Sequence, residues 1–343
     1  MSELPRTPDL DEDAAPATGD RARREPFWSR GAAAVLAASF WTLGALPPWL
    51  AYALADLCAT PWALYWSITD RRGQRSKGYW RNVAIAFRPG APLGATRPRW
   101  HLWRWSRHLA WLAVDFCRLR QITRDNLEQV CDLSEYPRLR TLYDKQQGII
   151  FATGHVGLWD VAGWAAGLLG MAITSVYRPS PVPSIDRVIA QLRTGTGQTV
   201  VAKHNVIGTL KKVLAQHEVI GLLCDSGYKK NDVFAPFLGV EVATVATPAL
   251  LHLATRAPIA VVTVARTGRW RFHLHVWDII EHPPSGDRKA DVLAITTRIN
   301  QGLGRGVVAA PAQWFWQSRR FRHRPAGEVS GPDGLPPLRP GAG

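Results

Sequence analysis

The chain has 343 residues, with 42 Lys and Arg against 27 Asp and Glu, which gives a formal net charge of +15. Hydrophobic residues make up 46% of the chain, which excludes a wholly disordered protein, and the positive charge favours an anionic partner such as nucleic acid, an acidic membrane surface or a phosphorylated substrate. The four cysteines show neither a CxxC pair nor the spacing of metal ligands, so neither a disulfide scaffold nor a metal site is expected.

Residues 1–30 are predicted to form a disordered tail, because they are rich in Pro, Asp, Glu and Arg and have no apolar period. A cleaved signal peptide is not expected, since the basic cluster at Arg21, Arg23 and Arg24 comes late and the apolar stretch after it is too long. The first structured element is therefore expected after this tail.

Residues 31–95 are predicted to form a membrane-associated helical region. The 25 residues from Gly31 to Ala55 carry no charge, a length that permits one bilayer span. Pro47-Pro48 at the centre equally permits two shorter helices in the membrane interface, and a buried helical pair of a soluble domain is the alternative without a membrane. A basic run that suits the cytoplasmic leaflet follows at Arg71, Arg72, Arg75, Lys77 and Arg81. We expect the protein at the inner membrane, with its main domain on the cytoplasmic side.

The next region, residues 96–325, opens with a helix that has a mixed cationic and aromatic face. The residues at helical spacing on this face are Trp100, Trp103, Arg104, Arg107 and Trp111. Such a face suits an anionic lipid or nucleic-acid surface, and it equally suits a helix whose tryptophans pack inward while its arginines are solvated. The sequence leaves both interpretations open.

From residue 148 onward, short apolar runs alternate with helical periods, which is typical of a mostly parallel α/β sheet flanked by helices. The predicted strands are 148–152, 173–177, 199–202, 219–223, 259–265 and 271–279. The predicted helices are 156–170, 185–193, 207–216, 248–255 and 291–303. The Pro- and Gly-rich residues 326–343 are expected to form a loose C-terminal tail.

A histidine follows the first of these strands and is the strongest candidate for chemistry. Catalytic groups of α/β sheets gather at the carboxyl ends of strands, and His155 lies at such an end, with Asp160 completing a His-x4-Asp spacing. Three more histidines have an acidic residue at this spacing, but none lies at a strand-to-helix turn: His273, His282 and His323. We predict that Asp160 holds one imidazole nitrogen of His155 while the other faces a substrate as general base.

Several further motifs occur in a fixed order along the chain. They are Arg81-Asn82-Val83, Gly154–Asp160, Tyr177-Arg178-Pro179, Gly221–Asp225, Phe234–Gly239, Thr247-Pro248-Ala249, Ala257-Pro258-Ile259 and Pro311–Trp316. This set, within residues 35–325, resembles the lysophospholipid acyltransferase superfamily, and most of all its branch of late (lauroyl or myristoyl) acyltransferases of lipid A biosynthesis. The sequence departs from that branch at Asp160, where Glu is commoner, and around Asp225, which lacks the usual flanking Pro and Gln.

The resemblance implies that residues 96–325 form an acyltransferase domain. Such an enzyme moves a fatty acyl chain from a thioester, acyl carrier protein or acyl-CoA, to a hydroxyl of an anionic lipid A-type glycolipid, with no metal and no cofactor besides the thioester. It implies His155 and Asp160 as the catalytic pair. Arg178 would hold an acceptor phosphate or the thioester oxygen, and Asp225 would bind acceptor polar groups or pair with Arg178.

Two alternatives remain at this level. Within the same enzyme class, the acceptor is a glycerolipid or a mannosylated phosphoinositide. From a different class, the chain is a non-enzymatic binder of anionic lipid or nucleic acid that uses its basic, Trp-rich half. We expect no nucleic-acid partner, because the sequence has no RNP motif, KH loop or Gly-rich phosphate loop.

Overall fold

The computed structural model describes residues 27–69, 78–95, 101–180, 182–196, 198–203, 206–226 and 233–339. Most of the predicted tail, the basic run at 71–77 and Trp100 lie outside the described residues. The helices of the described part are α1 (Phe27–Ala45), α2 (Pro48–Thr69), α3 (Tyr79–Ala86), α4 (His101–Arg118), α5 (Leu127–Val130), α6 (Tyr136–Asp144), α7 (Asp160–Leu168), α8 (Pro183–Arg193), α9 (Ile207–Ala215), α10 (Thr247–Thr255) and α11 (Arg288–Ala309). Its strands are β1 (Cys131–Asp132), β2 (Ile149–Thr153), β3 (Ile173–Tyr177), β4 (Thr199–Ala202), β5 (Val219–Leu223), β6 (Val233–Phe237), β7 (Val240–Thr244), β8 (Ile259–Gly268) and β9 (Arg271–Ile280).

Seven strands form one sheet in the order β1-β9-β8-β2-β5-β3-β4. Neighbouring strands are parallel except for β8 and β9, which are antiparallel and joined by a short turn. The prediction of an α/β fold with a mostly parallel sheet is therefore confirmed. Strands β6 and β7 form a separate antiparallel pair that the sequence pattern did not predict.

Both faces of the sheet are covered by helices. Alternate side chains of its central strands point to opposite faces, and both sets are apolar, so each face needs a covering layer. One face packs against α3, α9, α10 and α11 and buries Ile150, Ala152, Ile220, Leu222, Ile259 and Val261. The other packs against α5, α6 and α7 and buries Ile149, Phe151, Val219, Ala260 and Val262. This double burial explains why the central strands read as continuous apolar runs.

The N-terminal region consists of two helices that meet at the Pro47-Pro48 step. Helix α1 begins at Phe27, four residues inside the predicted tail, and α2 begins at Pro48, where the fixed φ of proline suits the first helical position. Within the part of the chain that the structure describes, no helix combines the length and apolarity needed to cross a bilayer. The structure thus shows two separate helices that meet at this step.

Helix α2 packs on α4 through buried polar contacts. Asp115 of α4 is fully buried, accepts a hydrogen bond from the Tyr52 hydroxyl and pairs with Arg266 of β8. Nearby, Asp56 of α2 accepts hydrogen bonds from Arg107 at 2.7 Å and from the Trp111 indole at 2.7 Å. Part of the cationic and aromatic face of α4 is therefore occupied by α2, which supports the packing interpretation of that face.

The C-terminal segment differs from its prediction as a loose tail. Leu335 and Leu338 pack against the core, and the backbone N–H of Arg339 donates to the Gly239 carbonyl at 2.9 Å. Arg88 donates to the Pro336 carbonyl. Residues up to 339 are thus held against the domain, because two leucines among the prolines find apolar neighbours.

Candidate active site

The candidate site lies where the central strands β2 and β5 end. Thr153 and Leu223 are partners in the parallel pair, so the residues that follow the two strands leave the same edge of the sheet side by side. His155 follows β2 and Asp225 follows β5. Although the two residues are far apart in sequence, the strand pairing brings them into contact.

Three hydrogen bonds surround the Asp225 carboxylate, and two of them join it to His155. Nδ1 of His155 contacts Oδ1 at 2.7 Å, while the His155 backbone N–H and the indole N–H of Trp314 each donate to Oδ2 at 2.7 Å. Asp225 is only 2% exposed. Because a carboxylate only accepts, Nδ1 of the neutral imidazole carries the proton, and Nε2 keeps its lone pair for a substrate.

Two glycines make this approach possible. A Cβ on Gly154 would lie 3.0 Å from Cγ of Asp225, so a side chain there would push the carboxylate away from His155. At Gly157, φ is +62° and a Cβ would lie 1.9 Å from the Val264 carbonyl oxygen, which no side chain tolerates. The chain between β2 and α7 therefore folds as a tight turn, and α7 begins only at Asp160 instead of at the predicted residue 156.

His155 and Asp225 each stabilise the charged form of the other. Burial by itself lowers the pKa of His155, but the neighbouring Asp225 carboxylate and its hydrogen bond outweigh burial and raise this pKa above its ordinary value. Burial likewise opposes ionisation of Asp225, and the contacts with His155 and Trp314 overcome it and lower the Asp225 pKa to about 2. Asp225 is therefore an anion at neutral pH, and it makes His155 a stronger base.

The predicted contact between Asp160 and His155 is corrected by the structure. Asp160, the first residue of α7, is 6% exposed, and its Oδ1 accepts a 2.7 Å hydrogen bond from Nε of Arg193. Among the described residues, the carboxylate bonded to the imidazole is that of Asp225. Asp160 still lies close enough for its charge to contribute to the raised pKa of His155.

Aromatic side chains form the walls around the imidazole. The ring of Trp159 lies edge-on at 4.8 Å between centroids, and Phe315 lies at 5.8 Å. The His155 side chain keeps 21% of its surface exposed. A substrate can therefore reach the imidazole, while the buried Asp225 carboxylate beneath it stays shielded from solvent.

Arg178 follows β3 directly and is exposed at the same edge of the sheet. Strand β5 lies between β3 and β2, so two strand spacings, about 10 Å, separate their ends. The predicted pairing of Arg178 with Asp225 is not the arrangement shown, since Oδ1 of Asp225 contacts His155 and Oδ2 accepts from His155 and Trp314. The sequence also placed Asp225 among acceptor-binding residues, whereas the structure buries it beneath His155.

Two residues at the site were not identified as such from the sequence. Trp314 lies in the Pro311–Trp316 motif, whose place in the ordered set was the only sign of its importance. A β-bridge between Val156 and Trp314 anchors that motif beside the turn after β2. Arg193 ends α8 and had no motif around it, so nothing in the sequence linked it to Asp160.

A buried carboxylate that orients a half-buried histidine, at the carboxyl edge of a parallel sheet, defines a class of α/β protein built around a candidate general base. Comparison of the sequence with models of known protein families identifies a family within this class. The model described as bacterial lipid A biosynthesis acyltransferase matches residues 103–323, and the chain belongs to this family. Both His155 and Asp225 lie within the matched residues.

Individual relatives are more distant. The chain is 26% identical over 205 residues to the lipid A biosynthesis palmitoleoyltransferase of Escherichia coli, which covers 58% of the chain and 64% of the relative. It is 25% identical over 188 residues to the lipid A biosynthesis acyltransferase of Haemophilus influenzae, covering 53% of the chain and 56% of the relative. The chain thus matches less than two thirds of the length of these relatives.

Proposed function

We propose that this protein is an O-acyltransferase that moves a fatty acyl chain from a thioester to a hydroxyl group of a lipid A-type glycolipid. Family membership supports the reaction class and the acceptor class. The observation that carries the mechanism is the His155–Asp225 pair, because a hydroxyl is a poor nucleophile until a positioned base removes its proton.

In this mechanism the acceptor hydroxyl oxygen attacks the carbonyl carbon of the thioester while Nε2 of neutral His155 takes the hydroxyl proton. Asp225 stabilises the imidazolium that forms and keeps Nδ1 as the protonated nitrogen. The tetrahedral intermediate then breaks its C–S bond, and the imidazolium returns the proton to the departing thiolate. The products are an ester and a free thiol, and the thioester co-substrate, acyl carrier protein or acyl-CoA, is the only cofactor required.

Two further residues take supporting roles in the proposal. Asp160 adds negative charge near the imidazole, which raises the His155 pKa, and it pairs with Arg193, whose positive charge lowers the same pKa. Arg178, exposed at the same edge of the sheet, binds a phosphate of the acceptor, because a planar guanidinium with five donors suits phosphate better than an ammonium does.

The role of Arg178 can be separated from stabilisation of the oxyanion. If Arg178 binds acceptor phosphate, Arg178→Lys weakens use of the acceptor by roughly 1.5–3 kcal/mol, while thioester hydrolysis without acceptor persists. Parallel loss of transfer and hydrolysis in one preparation would instead show that Arg178 acts on the thioester oxygen. Unchanged rates for both reactions would remove Arg178 from the site.

The proposal also includes association of α1 and α2 with the inner membrane, with the sheet domain on the cytoplasmic side. Large apolar side chains are exposed along both helices: Trp28, Val35, Trp41, Trp49, Leu54, Leu57, Trp62, Leu64 and Tyr65. Exposed apolar side chains of this kind suit the boundary between headgroups and acyl chains, and a lipid acceptor resides there.

The function is tested with purified full-length protein in detergent. A lipid A-type acceptor that lacks one secondary acyl chain is supplied with acyl thioesters of acyl carrier protein or of CoA. The molecular masses of the lipid products are measured by mass spectrometry. We expect a product heavier by one acyl group, and the more active thioester identifies the donor. Acylation of lysoglycerolipid or of a mannosylated phosphoinositide, with the lipid A-type acceptor untouched, would contradict the acceptor assignment; no transfer to any of them would contradict the enzyme assignment.

A further inference from the structure

A second cluster of chemistry-bearing side chains lies at the outer edge of the sheet, away from His155. It consists of Glu135, just before α6, and His273 and His275 of β9. We infer that these three residues form a binding site for a divalent transition metal ion, with Zn²⁺ as the ion that two imidazoles and one carboxylate suit best. This inference does not depend on the proposed acyl transfer.

The fold places the three ligands on one side. His273 and His275 are two positions apart on a strand, so their side chains point to the same face, and their rings stack with centroids 3.9 Å apart. Strand β1 pairs in parallel with β9 at His273, and the chain that leaves β1 runs beside β9 to Glu135. Strand geometry thus fixes two ligands, and the connection to α6 brings the third.

The distances are close to those of a metal site. Oε1 of Glu135 lies 3.5 Å from Nδ1 of His275 and 3.9 Å from Nε2 of His273. All three ligand atoms lie within 4.8 Å of one another. Ligands at zinc distances in a tetrahedron are about 3.3 Å apart, so small side-chain rotations bring the three onto one ion.

Hydrogen bonding around the cluster leaves the ligand atoms available. Nε2 of His273 is buried and has no hydrogen-bond partner among the described residues. The other carboxylate oxygen of Glu135, Oε2, accepts from Arg138 at 2.8 Å and from the Val276 N–H at 3.2 Å, which turns Oε1 towards the imidazoles. An orphaned buried nitrogen beside a fixed carboxylate oxygen is what a bound cation would satisfy.

Asp132 completes the site as an orienting residue. Its Oδ2 lies 3.8 Å from Nδ1 of His273, on the side of the ring opposite the proposed ion. A metal-bound imidazole commonly donates its other N–H to a carboxylate, and a small rotation of the exposed Asp132 side chain would bring it from 3.8 Å to hydrogen-bond distance. Three protein ligands leave the fourth position to water. The bound ion would hold the connection between β1 and α6 against strand β9.

The test measures metal binding by the full-length protein in detergent. The protein is stripped with EDTA, dialysed, and titrated with ZnCl₂ by calorimetry, and Co²⁺ is used as a spectroscopic probe of tetrahedral coordination. We expect one Zn²⁺ per chain, and at least tenfold weaker binding in the double variant His273→Gln/His275→Gln. Asp132→Asn should weaken binding by about 10–100-fold while leaving the ligands in place.

His217→Asn serves as the matched control, because His217 is an exposed histidine outside the cluster with a positive φ of 65° that Asn tolerates. It should bind Zn²⁺ as the wild type does. Absence of binding by the wild type, or equal binding by the double variant, would overturn the inference. If the double variant fails to fold, Glu135→Gln provides the same comparison, with circular dichroism as the check on folding.

Discussion

The N-terminal helices and the sheet domain distribute polarity in opposite ways. Of the twelve large hydrophobic side chains exposed in the described part of the chain, nine belong to α1 and α2, whereas the sheet domain buries its apolar strands between two layers of helices. Conversely, the contact of α2 with the domain buries charge, at Asp115 and Arg266. One region turns apolar surface outward and contacts a buried carboxylate of the domain through the Tyr52 hydroxyl; the other keeps apolar residues inside and gathers charge at one edge.

The difference shows what each region is built to meet. Exposed apolar surface costs free energy in water and is retained where it contacts lipid or another protein. A buried charge costs free energy unless it is paired, and it is worth that cost where it fixes a geometry. The exposed apolar surface of the helices therefore suits the membrane contact proposed above, and the His155–Asp225 pair suits the proposed reaction, which needs an oriented base.

The largest expected effect concerns the base in the sheet domain. Replacement His155→Ala should reduce acyl transfer by about 10²–10⁴-fold with the fold intact, because no positioned group then removes the hydroxyl proton. Transfer is measured by the mass of the lipid product, and folding by thermal melting. His217→Asn, at an exposed histidine outside the site, should leave the rate unchanged. Ordinary turnover by a folded His155→Ala protein would exclude the mechanism.

A second test asks which carboxylate orients the base. Asp225→Asn should lower the rate by roughly 10²–10³-fold, because an amide neither fixes the Nδ1 proton nor stabilises the imidazolium. Asp160→Asn, whose carboxylate bonds to Arg193, should cost less. Rates of the two variants are compared at saturating acceptor. A greater loss for Asp160→Asn would restore Asp160 as the orienting carboxylate.

The junction between the two regions is tested by Asp115→Ala. This change leaves Arg266 buried without its carboxylate and should lower the free energy of unfolding by about 3–5 kcal/mol. Chemical denaturation measures the loss, and limited proteolysis should show earlier cleavage within α1 and α2. Asp144→Ala, which breaks an exposed ion pair with Arg140, is the control and should have no measurable effect. Equal stability of the two variants would show that the buried pair does not hold the helices.

The apolar surface of the helices is tested by the double variant Trp49→Ser/Leu57→Asp. These side chains are 65% and 73% exposed, so their loss should leave the fold unchanged while lowering partition into anionic liposomes by about tenfold or more. Val329→Asp makes a similar change at an 82% exposed position of the C-terminal segment and should not alter partition. If both proteins bind liposomes equally well, the helices are not the membrane surface.

The smallest expected effect is a shift in pH dependence. The His155 pKa is raised, so activity should be full at high pH and fall as pH drops through a midpoint above the ordinary histidine value of about 6.5. In Asp225→Asn the carboxylate that raises the His155 pKa is gone. Burial, which lowers this pKa, then dominates, and the midpoint should move to lower pH. The readout is kcat/KM across about pH 5–9. A midpoint that is the same in both proteins would show that another group titrates.

Parts of this molecule follow from local sequence. The bounds of β3, β4 and β5 match those predicted, because each is a short apolar run bounded by turn-forming or polar residues. The position of His155 after a buried strand was also predictable, as was the break at Pro47-Pro48. By contrast, the turn after β2 shortened the predicted helix, because Val156 and Gly157 form bridges to Trp314 and Val264. The proposed metal cluster could not be found from cysteine spacing, because its ligands are two histidines of one strand and a glutamate from a distant segment.

The sequence by itself determined that the chain folds as an α/β sheet with a histidine at a strand end and an apolar pair of helices before it. Apolar period, proline position and glycine position are local properties, and they act within a few residues of where they occur. Only the tertiary structure decided that Asp225 orients His155, that Asp160 binds Arg193, and that α2 covers part of the α4 face. These contacts depend on which strands and helices become neighbours, and that order is set by packing across the whole domain.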